Sequence, residues 1–158
     1  MSEPSLDARI RRLEDIEALK QLKSRYAGYC DDDYNADQLG PLFTQDAIWD
    51  GGVLGRCEGR DAIHAFFADA SKTLPFAIHL VTNPVLEIDG DRATGQWLLW
   101  QPCTHATGDQ ALWIAGRYHD EYRREEGEWR FAKVTVRLTM LSPYEAGWSR
   151  ARMIEVPA

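Results

Sequence analysis

The segment Phe76-Ala77-Ile78-His79-Leu80-Val81-Thr82-Asn83-Pro84-Val85-Leu86-Glu87-Ile88-Asp89-Gly90-Asp91 decides the fold. Its first part is apolar and β-branched with one embedded histidine, and it reads as a strand over 76–88. Asp89-Gly90 is a hairpin turn signal, and Arg92-Ala93-Thr94-Gly95-Gln96-Trp97 resumes an extended pattern after it. Pro84 suits an edge strand or a bulge, because proline cannot donate to a ladder. The same reading gives further strands over 91–103, 111–124 and 128–141. Thr107-Gly108-Asp109 and Glu126-Gly127 supply the turns between them. Three consecutive hairpins, an antiparallel meander, are therefore expected in the second half.

Before that segment the period changes. Ile10, Leu13, Ile16, Leu19, Leu22, Tyr26 and Tyr29 recur at steps of three or four, which predicts one long helix over 6–31, capped by Ser5 or Asp7. The helix ends in Asp31-Asp32-Asp33, although carboxylates sit badly at the negative end of a helix dipole. A short second helix is expected over 37–43, interrupted by Gly40-Pro41. Phe43 to Asp50 leads into a strand, and Gly51-Gly52 and Gly55 mark turns. Gly59-Arg60-Asp61 opens a third helix with Ile63, Phe66, Phe67 and Ala70 on one face and His64 at the surface. Helices followed by a meander imply an α+β domain, with helices packed on one side of a strongly curved sheet. Residues 142–158 read as an irregular tail docked by Trp148, and 1–158 as a single domain without repeat or linker.

Composition narrows the partners. The 158 residues are 44% hydrophobic and 27% charged, ordinary for a soluble globular protein. Six tryptophans, six tyrosines and five phenylalanines suggest a wide core or an apolar pocket. A net charge of −7 without any basic run argues against nucleic acid. No apolar stretch approaches a membrane span, and Met1-Ser2-Glu3-Pro4-Ser5 lacks the plan of a signal peptide. Cys30, Cys57 and Cys103 are odd in number and widely spaced, which fits reduced thiols and a cytoplasmic location.

Several chemistries find no support. There is no Cys/His cluster at metal spacing, no His-Glu-x-x-His, no Gly-rich phosphate loop and no Gly-x-Ser-x-Gly elbow. Asp31-Asp32-Asp33 does not make a metal site, because three consecutive side chains diverge. Neither metal nor cofactor is therefore expected. His79 alone is either a satisfied core residue or a working base.

The chain resembles the polyketide-cyclase-like (SnoaL-like) branch of the nuclear transport factor two superfamily. The resemblance runs from about residue 8 to 141. It is carried by Tyr26-Ala27-Gly28-Tyr29-Cys30-Asp31, Leu42-Phe43-Thr44-Gln45-Asp46-Ala47-Ile48-Trp49, Gly59-Arg60-Asp61-Ala62-Ile63, His79-Leu80-Val81-Thr82-Asn83-Pro84, Gly116-Arg117-Tyr118 and Gly127-Glu128-Trp129-Arg130-Phe131. It implies a cone: a curved, mostly antiparallel mixed sheet wrapped by three helices, with a cavity in its open mouth. The family includes scytalone dehydratase, bile acid dehydratase, hexachlorocyclohexane dehydrochlorinase and ketosteroid isomerase, and also the structural small subunits of ring-hydroxylating dioxygenases. Fold alone therefore does not give function.

What the resemblance transfers is a pair. His79 stands four residues before Asn83, as the His-x-x-x-Asn strand of the dehydratases and dehydrochlorinase requires. Counting from Tyr26 makes Asp31 its partner; counting back from Phe43 makes it Asp32. The helical count contains no loop and favours Asp31. Such a pair abstracts a carbon-bound proton, eliminating water or halide or shifting a double bond. This implies a lyase or isomerase acting on an apolar cyclic compound. Tyr26 and Arg137 are candidates for steadying the anion, His105 for a second histidine in the sheet, and Trp49, Trp97, Trp100 and Trp113 for the cavity walls. The alternative is a non-catalytic ligand-binding or subunit-like module. The resemblance further implies a homodimer or homotrimer.

Overall fold

In the computed structural model, which describes residues 3–157, helix α1 runs from Leu6 to Asp31. Ser5 caps it by accepting the Ala8 N–H at 3.2 Å. Leu19, Leu22, Tyr26 and Cys30 are buried, but Ile10 and Leu13 are exposed. The apolar stripe is thus buried only in the second half of α1, and the first turns border an open groove. A short α2 (Ala36–Leu39) and a 3-10 turn at Gly40–Leu42 lead into β1 (Phe43–Asp50). A second such turn at Gly52–Leu54 precedes β2 (Arg56–Glu58) and α3 (Arg60–Thr73). The chain then runs through β3 (Phe76–Ala77), β4 (Leu80–Asp89), β5 (Arg92–His105), β6 (Gln110–Glu125) and β7 (Glu128–Pro143).

Among the described residues the sheet has seven strands in the order β2-β1-β7-β6-β5-β3, with β4 also paired to β5. β1 is parallel to β7, and the other pairings are antiparallel. The sheet is curved and unclosed, and three helices accompany it: the α+β cone expected above. Its core is aromatic. Tyr26 meets Phe131 edge-on at 5.4 Å, and Phe131 lies 5.2 Å from Tyr122. No helix among the described residues is long and apolar enough to cross a membrane.

Two irregularities reassign faces. The strand expected over 76–88 breaks at Ile78 and His79, so His79 stands between strands and not within one. The Ile78 N–H still reaches the Pro102 carbonyl at 3.1 Å, but the His79 N–H donates to the Asp31 carboxylate at 2.8 Å. A side chain has replaced the ladder partner. Further along β4, the register shifts between Thr82 and Val85, where Asn83 has φ 54°, so Pro84 sits in an edge bulge.

β7 carries two bulges. Tyr122 pairs with Phe131 and Glu121 with Lys133, which leaves Ala132 as an extra residue. Trp129 and Phe131 face inward before it, and Val134 and Val136 after it. The second shift falls between Ala115 and Gly116. There a Cβ on Gly116 would lie 2.6 Å from the Arg137 carbonyl oxygen. Gly116→Ala is expected to cost about 1–3 kcal/mol, read from the urea midpoint, because backbone cannot yield as a flexible side chain can.

The tail is less irregular than its composition suggests. The Leu141 N–H donates to the Arg152 carbonyl at 2.9 Å, and the Ile154 N–H returns to the Leu141 carbonyl at 3.0 Å. Trp148 lies 6.1 Å from Trp100 but stays exposed, so these backbone bonds dock the tail more than the indole does.

Candidate active site

The last turn of α1 and the strand break meet at one carboxylate. Asp31 Oδ1 accepts the His79 Nδ1–H at 2.7 Å and the His79 backbone N–H at 2.8 Å. A carboxylate has no proton to give, so Nδ1 must donate, and the neutral imidazole keeps its lone pair on Nε2. The His79 side chain is 7% exposed and that of Asp31 32%. Asp32 does not take part: its Oδ2 accepts from Asn35 Nδ2 at 2.9 Å, and its backbone N–H closes α1. Of the two carboxylates considered from sequence, Asp31 is the one beside His79.

His79 lies on a cavity of about 350 Å³ under the sheet's concave face. Tyr26 and Cys30 of α1, Trp49 of β1, Phe66 and Phe67 of α3, and Tyr118 of β6 also contribute to its wall. The Trp49 Nε1–H donates to the Tyr26 hydroxyl at 3.0 Å, which leaves Tyr26 its own proton to give. Burial pushes the Tyr26 and Tyr118 phenols well above their ordinary values and pushes the Cys30 thiol up. All three therefore stay protonated and neutral. Behind His79 a cleft of about 310 Å³ between α1 and β4 reaches Asp31, Lys23 and Trp97.

A larger hollow of about 1600 Å³ is an open groove over the outer part of α1 and the β6–β7 end. It does not contain His79, and part of its charge, Arg124 and Arg130 included, is already engaged. Arg124 pairs with Asp15 at 2.8 Å and Asp91 at 3.0 Å while covering Trp129 at 4.3 Å. The smaller, mainly apolar cavity is the better candidate.

Tyr34 was not anticipated. Asp33 and Tyr34 both have φ 52°, a conformation that β-carbon residues seldom adopt. The turn is held by the Asn35 N–H, which donates to the carbonyls of Tyr29 at 3.0 Å and Asp32 at 3.1 Å. It lays the Tyr34 ring parallel to Phe67 at 6.3 Å and edge-on to His79 at 5.9 Å. Nothing in sequence marks such a turn. Gln101 and Tyr118 were legible, because each falls on the inward parity of an alternating strand.

Beneath Tyr118 lies a buried ion pair. Lys23 Nζ donates to Asp120 Oδ2 at 2.7 Å and stands 3.4 Å from the Tyr118 ring centroid. The Tyr122 hydroxyl donates to the same oxygen at 3.0 Å and accepts from Trp97 Nε1 at 3.0 Å. Burial pulls the Lys23 ammonium down and the Asp120 carboxyl up, while their mutual attraction opposes both shifts.

Other expected site residues lie elsewhere. Arg137 is on the outer face, held by Asp50 through two 2.9 Å contacts; simple alternation from Trp129 and Phe131 would put it inside, but the Ala132 bulge inverts that parity. Trp100 and Trp113 lie 5.2 Å apart on that same outer face, since their parity on β5 and β6 is opposite to that of Leu99 and Ile114. Trp97 faces inward but belongs to the Tyr122 network and the cleft. His105 is buried and its Nδ1 accepts the Thr107 N–H at 3.1 Å; it does not line the cavity. Tyr26 and Trp49 do line it.

The cysteines are free thiols. Burial holds Cys103 up at about 12 and Cys30 higher still, whereas Cys57 is half-buried. A colorimetric disulfide reagent should label one thiol per native chain, Cys57, and all three only in denaturant. Among the described residues no group of three or more His, Cys, Asp or Glu could hold a metal ion.

A family model described as SnoaL-like domain matches residues 11–135. The uncharacterized protein Rv2910c of Mycobacterium tuberculosis is 26% identical over 126 residues, 78% of this chain and 85% of its own. A type 2 hexachlorocyclohexane dehydrochlorinase, LinA, superposes with a TM-score of 0.81 at 24% identity, over 85% of this chain and 92% of that one. A candidate aromatic ring hydroxylase of Novosphingobium aromaticivorans gives 0.76 at 26%, over 88% and 97%.

Proposed function

The chain belongs to the SnoaL-like domain family, and from that premise we propose that it is a cofactor-independent lyase or isomerase acting on an apolar cyclic substrate, steroid-, polyketide- or aromatic-like. The observation that carries the reading is the Asp31–His79 contact at the wall of an apolar cavity. His79 Nε2 takes a proton from a carbon beside a carbonyl or leaving group. Asp31 keeps the other ring nitrogen protonated and stabilises the imidazolium that forms. The freed electron pair expels water or halide, or moves into a shifted double bond. Tyr26 and Tyr118 donate to the oxygen on which negative charge develops. The fold shared with a dehydrochlorinase supports this chemistry as a class.

The test is hydrogen exchange, the first step common to dehydration, isomerisation and cyclisation. Cyclic ketones and hydroxy-ketones are incubated in D2O with wild type and with His79→Gln, and α-proton loss is followed by NMR. The wild type should exchange at least one compound about 10²–10⁴ times faster than the variant. Equal rates across the panel would leave a ligand-binding module as the better reading.

The outer face supports self-association. Trp100 and Trp113 stack there, with Tyr144 5.8 Å from Trp113 and Trp148 beside Trp100. Light scattering at micromolar concentration should report a homodimer or homotrimer, and a stable monomer would refute it.

A further inference from the structure

Two polar groups in the cavity wall have no part in the proton transfer. Gln101 of β5 is 4% exposed and shares its face with Trp97, Leu99 and Cys103. It thus occupies a place its neighbours fill with apolar groups. Among the described residues its amide meets only the Cys103 thiol, a weak partner, and makes no side-chain hydrogen bond to nitrogen or oxygen. Tyr34 is the second. It is 6% exposed, its hydroxyl is buried without a partner, and it also lies near Cys103. A primary amide and a phenol therefore stand on one cavity with donors and an acceptor uncommitted.

The same wall has no cation. Neither lysine nor arginine lines it, and besides the buried phenols and thiol its acid–base side chains are His79 and Asp69, the latter exposed and engaged by Lys72. Lys23 is held by Asp120 at 2.7 Å. A carboxylate or phosphate entering this space would lose its hydration with no counter-charge to replace it. An uncharged oxygen would find the amide.

We propose that Gln101 reads the polar group of the ligand, and that the cavity selects an uncharged hydroxy- or keto-substituted ring compound over its carboxylate and hydrocarbon counterparts. The amide N–H donates to the ligand oxygen, and a ligand hydroxyl donates in turn to Gln101 Oε1. Discrimination of this kind exceeds what shape alone provides, because an analogue without the oxygen leaves the buried amide unpaired. The inference rests on the cavity being the substrate site. It does not depend on proton transfer at His79.

Calorimetric titration with naphthalene, 2-naphthol and 2-naphthoate at about pH 7, where the acid is ionised and the phenol is not, provides the test. Wild type should bind 2-naphthol at least about 10-fold tighter than either of the others. Gln101→Leu and the near-isosteric Gln101→Met should bring 2-naphthol and naphthalene to within about twofold of each other, with naphthalene bound at least as tightly as by wild type. His79→Gln should retain the preference. The proposal falls if naphthoate matches naphthol in wild type, if the Gln101 variants keep the preference, or if wild type binds none of the three. Loss of the preference in His79→Gln with its survival in Gln101→Met would overturn the assignment to Gln101 and leave the reading of His79 standing.

Discussion

Asp31→Asn is expected to lower kcat on any compound the wild type turns over by about 10²–10⁴, whereas Asp32→Asn should keep it within about twofold. The two carboxylates are neighbours in sequence but face different partners. Asp31 takes two N–H groups of His79 on one oxygen, and Asp32 ties down Asn35. Asparagine still offers an oxygen to the His79 backbone, so the strand break should survive the change. What disappears is the negative charge that fixes the proton on Nδ1 and stabilises the imidazolium. Nitrogen-15 spectra of the imidazole separate this from a folding defect. Wild type should show the Nδ1–H tautomer and Asp31→Asn a growing share of Nε2–H, with KM little altered. Full turnover in Asp31→Asn would refute the pair.

The largest effect on stability is expected at Lys23. Lys23→Met removes the ammonium and leaves the Asp120 carboxylate buried, with Tyr122 as its remaining donor. The expected loss is about 3–5 kcal/mol in urea unfolding, and Asp120→Ala should cost a similar amount by stranding the ammonium. Lys23→Met combined with Asp120→Leu should recover most of it, since two apolar side chains avoid the desolvation of both charges. Additive losses in the double variant would show that packing, and not the charge pair, is responsible.

The meander and the long helix could be read directly, because period and turn residues are local signals. The extent of α1, Leu6–Asp31, agrees with the stretch of apolar spacing, but not its burial, since Ile10 and Leu13 have the right spacing and stay exposed. Within the site, the Asp31–His79 contact was reachable through the resemblance together with a helical count. Gln101 and Asp120 lie on readable parities, but nothing in a polar residue on a strand tells a buried partner from a solvated side chain. Tyr34 depends on two consecutive left-handed residues, and Arg137 on a bulge. Both depend on backbone events with no residue-type signature. The aromatic content suggested a lined cavity, yet Trp100 and Trp113 belong to the outer surface, because composition does not record which way a ring points.

The extra residue at Ala132 has a consequence for how such a scaffold diversifies. Everything on β7 beyond it keeps its side only because one residue is unpaired. Deleting Ala132 would leave a regular ladder in which Val134 and Val136 still face inward and Arg137 outward, because the lost residue and the lost bulge cancel. One inserted residue beside it, absorbed without a further bulge, would instead turn Val136 outward and Arg137 inward with no change of residue type. The lining of this architecture is therefore written in chain length and bulge count together, and a relative with one more residue here and the same single bulge should present the opposite set of β7 side chains.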